Sequence, residues 1–189
     1  MRHRYDTRGI VLSRTPLGES NALVTLLTPE LGLVRARAQS VRAPGAKLAT
    51  GLTTLTESSV ILVRGKEGWR VAGAVPEEQW FLRLPSHVCR ERVARVSGLL
   101  LRLVAGEVAE SELFPIMRGY LEALSTLPDH MHEASEVLVV LRILGALGLD
   151  TDEAPGAVLT FTPDLLSRIG DNRLAYVARI NTGIAASGL

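Results

Sequence analysis

The sequence predicts an α+β protein: an N-terminal five-stranded OB-fold β-barrel over residues 1–76, then an all-α helical domain over residues 77–189. Three observations predict it. The apolar pattern has a strand-like period up to about Ala74 and a helical one from Glu77 onward. Turn signals punctuate the first part at short intervals. The charge changes sign at the same place: residues 1–75 carry eleven Lys/Arg against five Asp/Glu, net +6, and the remainder carries ten against fifteen, net −5. The formal net of +1 conceals this split. A half-chain of one strong sign is the footprint of a polyanion partner.

The strands follow in order. Gly9–Arg14 is short and β-branched and stops at the turn signal Thr15-Pro16-Leu17-Gly18. Ala22–Thr28 is a second strand, ended by Pro29-Glu30-Leu31-Gly32. Leu33–Gln39 alternates, with Val34, Ala36 and Ala38 on one face and Leu33, Arg35, Arg37 and Gln39 on the other. A basic loop, Arg42 to Lys47, comes next. Glu57–Arg64 and Trp69–Ala74 are strands four and five, joined by Gly65-Lys66-Glu67-Gly68. Five short strands of this spacing fit a small barrel.

The helices then take over. Ser86 is the expected N-cap of a helix to about Ala105, with Val93, Val96, Leu99, Leu100 and Leu103 inward. A second covers Glu112–Leu127, with Pro115 in its first turn, where a missing N–H costs little. A third runs from His132 to Leu147, burying Val137, Leu138, Leu141, Leu144 and Leu147 and stopping at Gly148. Thr162-Pro163-Asp164 starts a short helix to Arg168, and Asp171–Ala185 forms the last. The boundary falls at Val75-Pro76-Glu77-Glu78.

The single cysteine, Cys89, excludes an internal disulfide and a four-cysteine zinc ribbon. The polar residues 1–9 do not read as a signal peptide, and no apolar run approaches the ~20 residues of a membrane helix. The expectation is a cytoplasmic protein with no membrane partner. Asp129-His130-Met131-His132-Glu133 reads as a polar helix start rather than a metal site, because imidazoles two apart face different sides and no third ligand is identifiable. Gly65-Lys66 is not a phosphate loop: Val60 stands where the first glycine would be, and Glu67 follows the lysine. Cys89 reads as a buried helical cysteine. With no Ser/His/Asp or Cys/His constellation in view, neither an enzyme nor a cofactor is expected.

The binding candidates are cations. Arg35 and Arg37 share a strand face, Arg42 and Lys47 lie just beyond, and Arg14, Arg64, Lys66 and Arg70 flank them. Phosphates require positive side chains at roughly regular spacing and no base-reading geometry. A solvated edge face is the bland alternative. Aromatic platforms are scarce: Tyr5 and Trp69 are the only aromatics before residue 76, and Trp69, opposite in facing to Arg70, reads as core. Binding would therefore be electrostatic and sequence-tolerant.

The run Thr7–Ala38 (T-R-G-I-V-L-S-R-T-P-L-G-E-S-N-A-L-V-T-L-L-T-P-E-L-G-L-V-R-A-R-A) resembles the N-terminal domain of the RecO family of bacterial recombination mediators. The pieces that carry it are Gly9-Ile10-Val11-Leu12, Gly18-Glu19-Ser20, the Leu-rich second strand, and Thr28-Pro29-Glu30-Leu31-Gly32 before a basic strand. The family's K-G-A-R-like stretch is replaced by Gln39-Ser40-Val41-Arg42, and its four-cysteine zinc element is missing. The resemblance thus implies a short, zinc-less member with an OB-fold followed by a helical bundle. It implies binding of single- and double-stranded DNA and annealing of complementary strands. It also implies loading of RecA, together with RecR, onto DNA coated by single-stranded-DNA-binding protein, whose acidic C-terminal tail is engaged. Few aromatics suit annealing, since bases held by stacking would pair slowly. A scaffold homologue without DNA binding and an RNA-binding OB module are the competing readings.

Overall fold

The computed structural model describes residues 3–41, 48–104, 110–157 and 159–189. The expected loop cations Arg42 and Lys47 lie outside the described residues. The chain divides into two compact units, Met1–Arg83 with Gly106–Phe114, and Leu84–Ala105 with Pro115–Leu189.

The first unit is a closed barrel of β1 (His3–Leu17), β2 (Asn21–Thr28), β3 (Gly32–Ala38), β4 (Thr56–Gly65) and β5 (Gly68–Gln79), in the order β1-β2-β3-β5-β4. All neighbours are antiparallel except β3 and β5, which close the ring by a short parallel pairing. This is an OB-like order. β1 outruns its expected span because it serves two neighbours: residues 3–10 pair with β4 and residues 10–17 with β2. Past Ile10 it has only β2 beside it, so Pro16, opposite Ala22, is tolerated inside a strand. Val11, Val24, Leu26, Val34, Leu62, Trp69 and Val71 fill the barrel. Leu52, from a 3-10 turn at Thr50–Leu52, is fully buried against them.

β5 also runs past its expected end. The sequence switch at Pro76 is not a strand terminus: Pro76 pairs with Ser58 beside a register shift at Glu57/Ser58, a bulge position where a missing N–H is harmless. Glu77 and Glu78 therefore belong to the barrel, not to a helix. A one-turn helix that sequence reasoning missed, α1 (Trp80–Arg83), follows directly. Its Trp80 is fully buried and donates from Nε1 to Oε2 of buried Glu57 at 3.2 Å. Arg8 approaches the other Glu57 oxygen at 3.6 Å.

The remaining helices are α2 (His87–Leu103), α3 (Leu113–Thr126), α4 (His132–Ala146), α5 (Pro163–Asp171) and α6 (Arg173–Ala186). Ser86 caps α2, its Oγ accepting from the Cys89 N–H. α4 buries Val137, Leu138, Leu141 and Leu144 as its period predicts, while Leu147 is half-buried at the C-cap before Gly148, whose φ of 68° ends the helix. Leu165, Leu166 and Ile169 of α5 pack on α4. α5 continues to Asp171, three residues beyond expectation, and Asn172 breaks it from α6. Arg92 and Arg95 of α2 both bind Glu136 of α4, the latter at 2.8 and 2.9 Å. Among the described residues, no helix is long and apolar enough to cross a membrane.

Candidate nucleic-acid interface

Alternation along β3 puts Ala36 and Ala38 inside the barrel and leaves Arg35 and Arg37 exposed on its outer surface. Leu33, on the arginine face by parity, is nevertheless fully buried. Closure of the ring adds what no local pattern carries. In the parallel β3–β5 pairing Arg37 stands directly opposite Arg70. The same cross-strand row continues through Val63 of β4 to Arg4 of β1. Arg4 was missed by sequence reasoning because β1 was expected to begin at Gly9. The only local signal for it was its charge.

Beside this row is a half-open concavity of about 730 Å³, lined among others by Asn21, Arg37, Lys66, Glu67, Trp69 and Arg70. The structure therefore brings Arg37, Lys66 and Arg70 together. Arg35 lies two residues along the same strand face, opposite Thr25 of β2. The electrostatics are uneven. Arg37 has Glu67 at 3.3 Å, with both side chains more than half exposed. Arg4 is clamped by Asp6 at 2.9–3.3 Å, and that hydrogen bond holds its guanidinium above the ordinary range. Among the described residues, Arg35 and Arg70 have no ion-pair partner. Like charges directly opposite across a sheet cost about 0.2–1 kcal/mol. The Arg37–Arg70 juxtaposition is thus locally unfavourable, eased in part by Glu67 beside Arg37.

Two candidates have other roles in the structure. Arg14 shares its row with the core residues Val24 and Ala36, so it stands on the inward-facing side at the barrel rim. There its Nη2 donates to the Val41 carbonyl at 3.3 Å. Arg64 lies over the Trp69 ring, 5.0 Å from its centroid, and Tyr5 meets the same ring edge-on at 5.2 Å. Trp69, 6% exposed, is part of the barrel core, as its strand parity predicted. It is a lid of the barrel and not a stacking platform.

The helical unit also brings together a Cys/His pair that no local pattern joined. Cys89 Sγ lies 3.2 Å from His132 Nδ1, and Asp129 joins them, the three ligand atoms lying within 4.8 Å of one another. Residues 43 apart in sequence give no local signal.

The sequence resembles known proteins. Residues 1–72 match the family model described as Recombination protein O N terminal. The chain is 33% identical to the DNA repair protein RecO of Heliobacterium modesticaldum over 144 residues, covering 76% of this chain and 51% of that protein. It is 34% identical to the DNA repair protein RecO of Dehalococcoides mccartyi over 123 residues, covering 65% and 48%. It is 31% identical to the DNA repair protein RecO of Gloeobacter violaceus over 147 residues, covering 77% and 56%. The alignments are longer than the barrel, so the likeness continues into the helices. The chain spans about half the length of the curated relatives it matches.

Proposed function

Because the chain belongs to the RecO family, we propose that it serves DNA repair and recombination as a non-enzymatic mediator whose barrel grips DNA by its phosphates. Arg35, Arg37, Lys66 and Arg70 are the contacts, Arg4 extends the row, and Arg42 and Lys47 follow it in sequence. Arg14 and Arg64 support the surface from the rim. Single and double strands both fit a grip that neutralises phosphates and reads no base edge. Strand annealing follows, since bases not stacked on protein stay available to pair. RecR and the acidic tail of single-stranded-DNA-binding protein are the proposed protein partners, with RecA loading as the outcome.

The observation that carries this reading is the Arg37–Arg70 register on an exposed face beside Lys66. Cations placed in direct cross-strand opposition are unfavourable to the free barrel and favourable to a polyanion complex. The test is the Arg37→Ala/Arg70→Ala double variant, titrated with single-stranded DNA across a salt series, with exposed Arg168→Ala of α5 as control. Loss of two phosphate contacts should flatten the log–log salt slope by about 1.4, from ~0.7 per phosphate on single strands. Unchanged affinity and slope would refute the assignment. Competition between DNA and RNA oligomers, and annealing with and without the coating protein, separate this reading from an RNA module and from a scaffold.

A further inference from the structure

The geometry points to a divalent-cation site of the zinc class at Cys89, Asp129 and His132, inside the helical unit and independent of the DNA face. Cys89 lies in the first turn of α2, Asp129 in the 3-10 turn Asp129–Met131, and His132 opens α4. Sγ and Nδ1 are 3.2 Å apart, and Nδ1 and Asp129 Oδ1 3.6 Å. A tetrahedral zinc ion with bonds of ~2.3 Å to sulfur and ~2.0–2.2 Å to nitrogen and oxygen holds its ligand atoms roughly 3.3–3.6 Å apart. The sulfur–nitrogen and nitrogen–oxygen pairs are already near that spacing. Asp129, 88% exposed, is free to swing the rest of the way.

The imidazole is set up as a ligand. Its Nε2 lies 2.8 Å from the Leu127 carbonyl. A carbonyl only accepts, so Nε2 carries the proton and the Nδ1 lone pair faces Cys89. A backbone carbonyl on the far nitrogen is how a metal-binding histidine has its tautomer and ring plane fixed. The thiol is positioned too: Ser86 Oγ accepts from the Cys89 N–H and lies 3.2 Å from Sγ. Cys89 and His132 are 1% and 3% exposed, so both buried ligands sit on one side of the site. With three protein ligands, a water would complete the tetrahedron.

Without an ion, the Cys89 S–H donates to Nδ1. On binding, the ion replaces that proton, which leaves to solvent, and His132 stays neutral. One thiolate, one imidazole and one carboxylate select Zn²⁺ or Co²⁺ over Mg²⁺ and Ca²⁺, which prefer oxygen alone. The ion would staple the first turn of α2 to the start of α4.

The experiment uses the full chain, reduced and stripped with chelator, titrated with Co²⁺ and then Zn²⁺. The expected result is a thiolate-to-cobalt charge-transfer band that saturates at one ion per chain and is bleached by Zn²⁺. One proton is released per ion, and the unfolding midpoint of the helical unit rises. Cys89→Ser should abolish the band. Asp129→Asn, a change on an exposed side chain that should not disturb folding, should weaken affinity roughly tenfold. His130→Gln should change nothing, since His130 is outside the cluster. Absence of the band in excess Co²⁺, or binding indifferent to Asp129→Asn, overturns the site and leaves the Cys–His pair as a hydrogen bond only.

Discussion

Arg142 is where a single substitution should cost most in the helical unit. It is 3% exposed in α4, and its Nη2 reaches the carbonyls of Pro155, Ala157 and Thr160 at 3.2, 2.7 and 2.8 Å. Its guanidinium also lies 4.8 Å from the Phe161 ring centroid. One cation thus gathers the carbonyls of the connection between α4 and α5. Arg142→Met keeps the apolar stem and removes the donors. The Ala157 carbonyl keeps the Thr160 amide and hydroxyl, so the half-buried carbonyls of Pro155 and Thr160 are the ones that lose a donor, at ~1–3 kcal/mol each, and the ring contact adds ~1–2. Against this stands a relief. Burial pushes the guanidinium down to about 10, and at 1.36 kcal/mol per pKa unit that drop corresponds to roughly 3 kcal/mol of desolvation the variant no longer bears. Taken near the middle of these ranges, the net expectation is a loss of ~2–3 kcal/mol. Arg142→Lys should recover part of it, since an ammonium reaches fewer carbonyls and cannot lie flat on the ring. The assay is urea unfolding, combined with hydrogen exchange at the amide of Thr160, which bonds the Ala157 carbonyl at 3.0 Å. A loss under ~1 kcal/mol with unchanged exchange at Thr160 would refute the reasoning.

Two further outcomes follow from buried polar atoms. Tyr120 is fully buried, its hydroxyl has no hydrogen-bond partner among the described residues, and burial raises its pKa well above the ordinary phenol value. Tyr120→Phe should therefore stabilise by about 1 kcal/mol in thermal or urea unfolding at neutral pH. The sign at alkaline pH is fixed by the direction of the shift. Above about pH 10 the unfolded phenol ionises while the folded one keeps its proton, so the wild type loses stability there and Tyr120→Phe loses less. Arg142, with its lowered pKa, works in the opposite sense over the same alkaline range, so only the difference between the two proteins isolates Tyr120. In the barrel, Trp80→Phe removes the N–H donated to buried Glu57 and should cost ~1–3 kcal/mol, read from the midpoint of the barrel transition.

Strand alternation and helix caps were legible locally because each depends on neighbours a few residues away. Val34, Ala36 and Ala38 faced inward, and Ser86 capped its helix, as the pattern required. Pro76 misled because the rule that proline ends a strand holds for regular ladders and lapses at a bulge. Arg14 shares the sign but not the face of Arg35 and Arg37: charge is readable in sequence, but the side a residue faces near a register shift is not. β1 was read too short because its two ends pair with different strands, and neither end shows the continuous alternation of a single ladder.

By itself the sequence determined the α+β class, the order of the five strands and of the five longer helices, the excess of positive charge toward the N-terminus, and the family of the barrel. Those are properties of local periodicity and composition. Tertiary structure decided which cations meet. Arg37 and Arg70 become neighbours only when β3 and β5 close the ring in parallel. Cys89 and His132 meet only when α2 packs on α4. Arg142 finds its three carbonyls only when the connection folds back over it. Each of these contacts joins groups distant along the chain, whose approach is set by burial of apolar surface elsewhere, and no window of sequence carries that information.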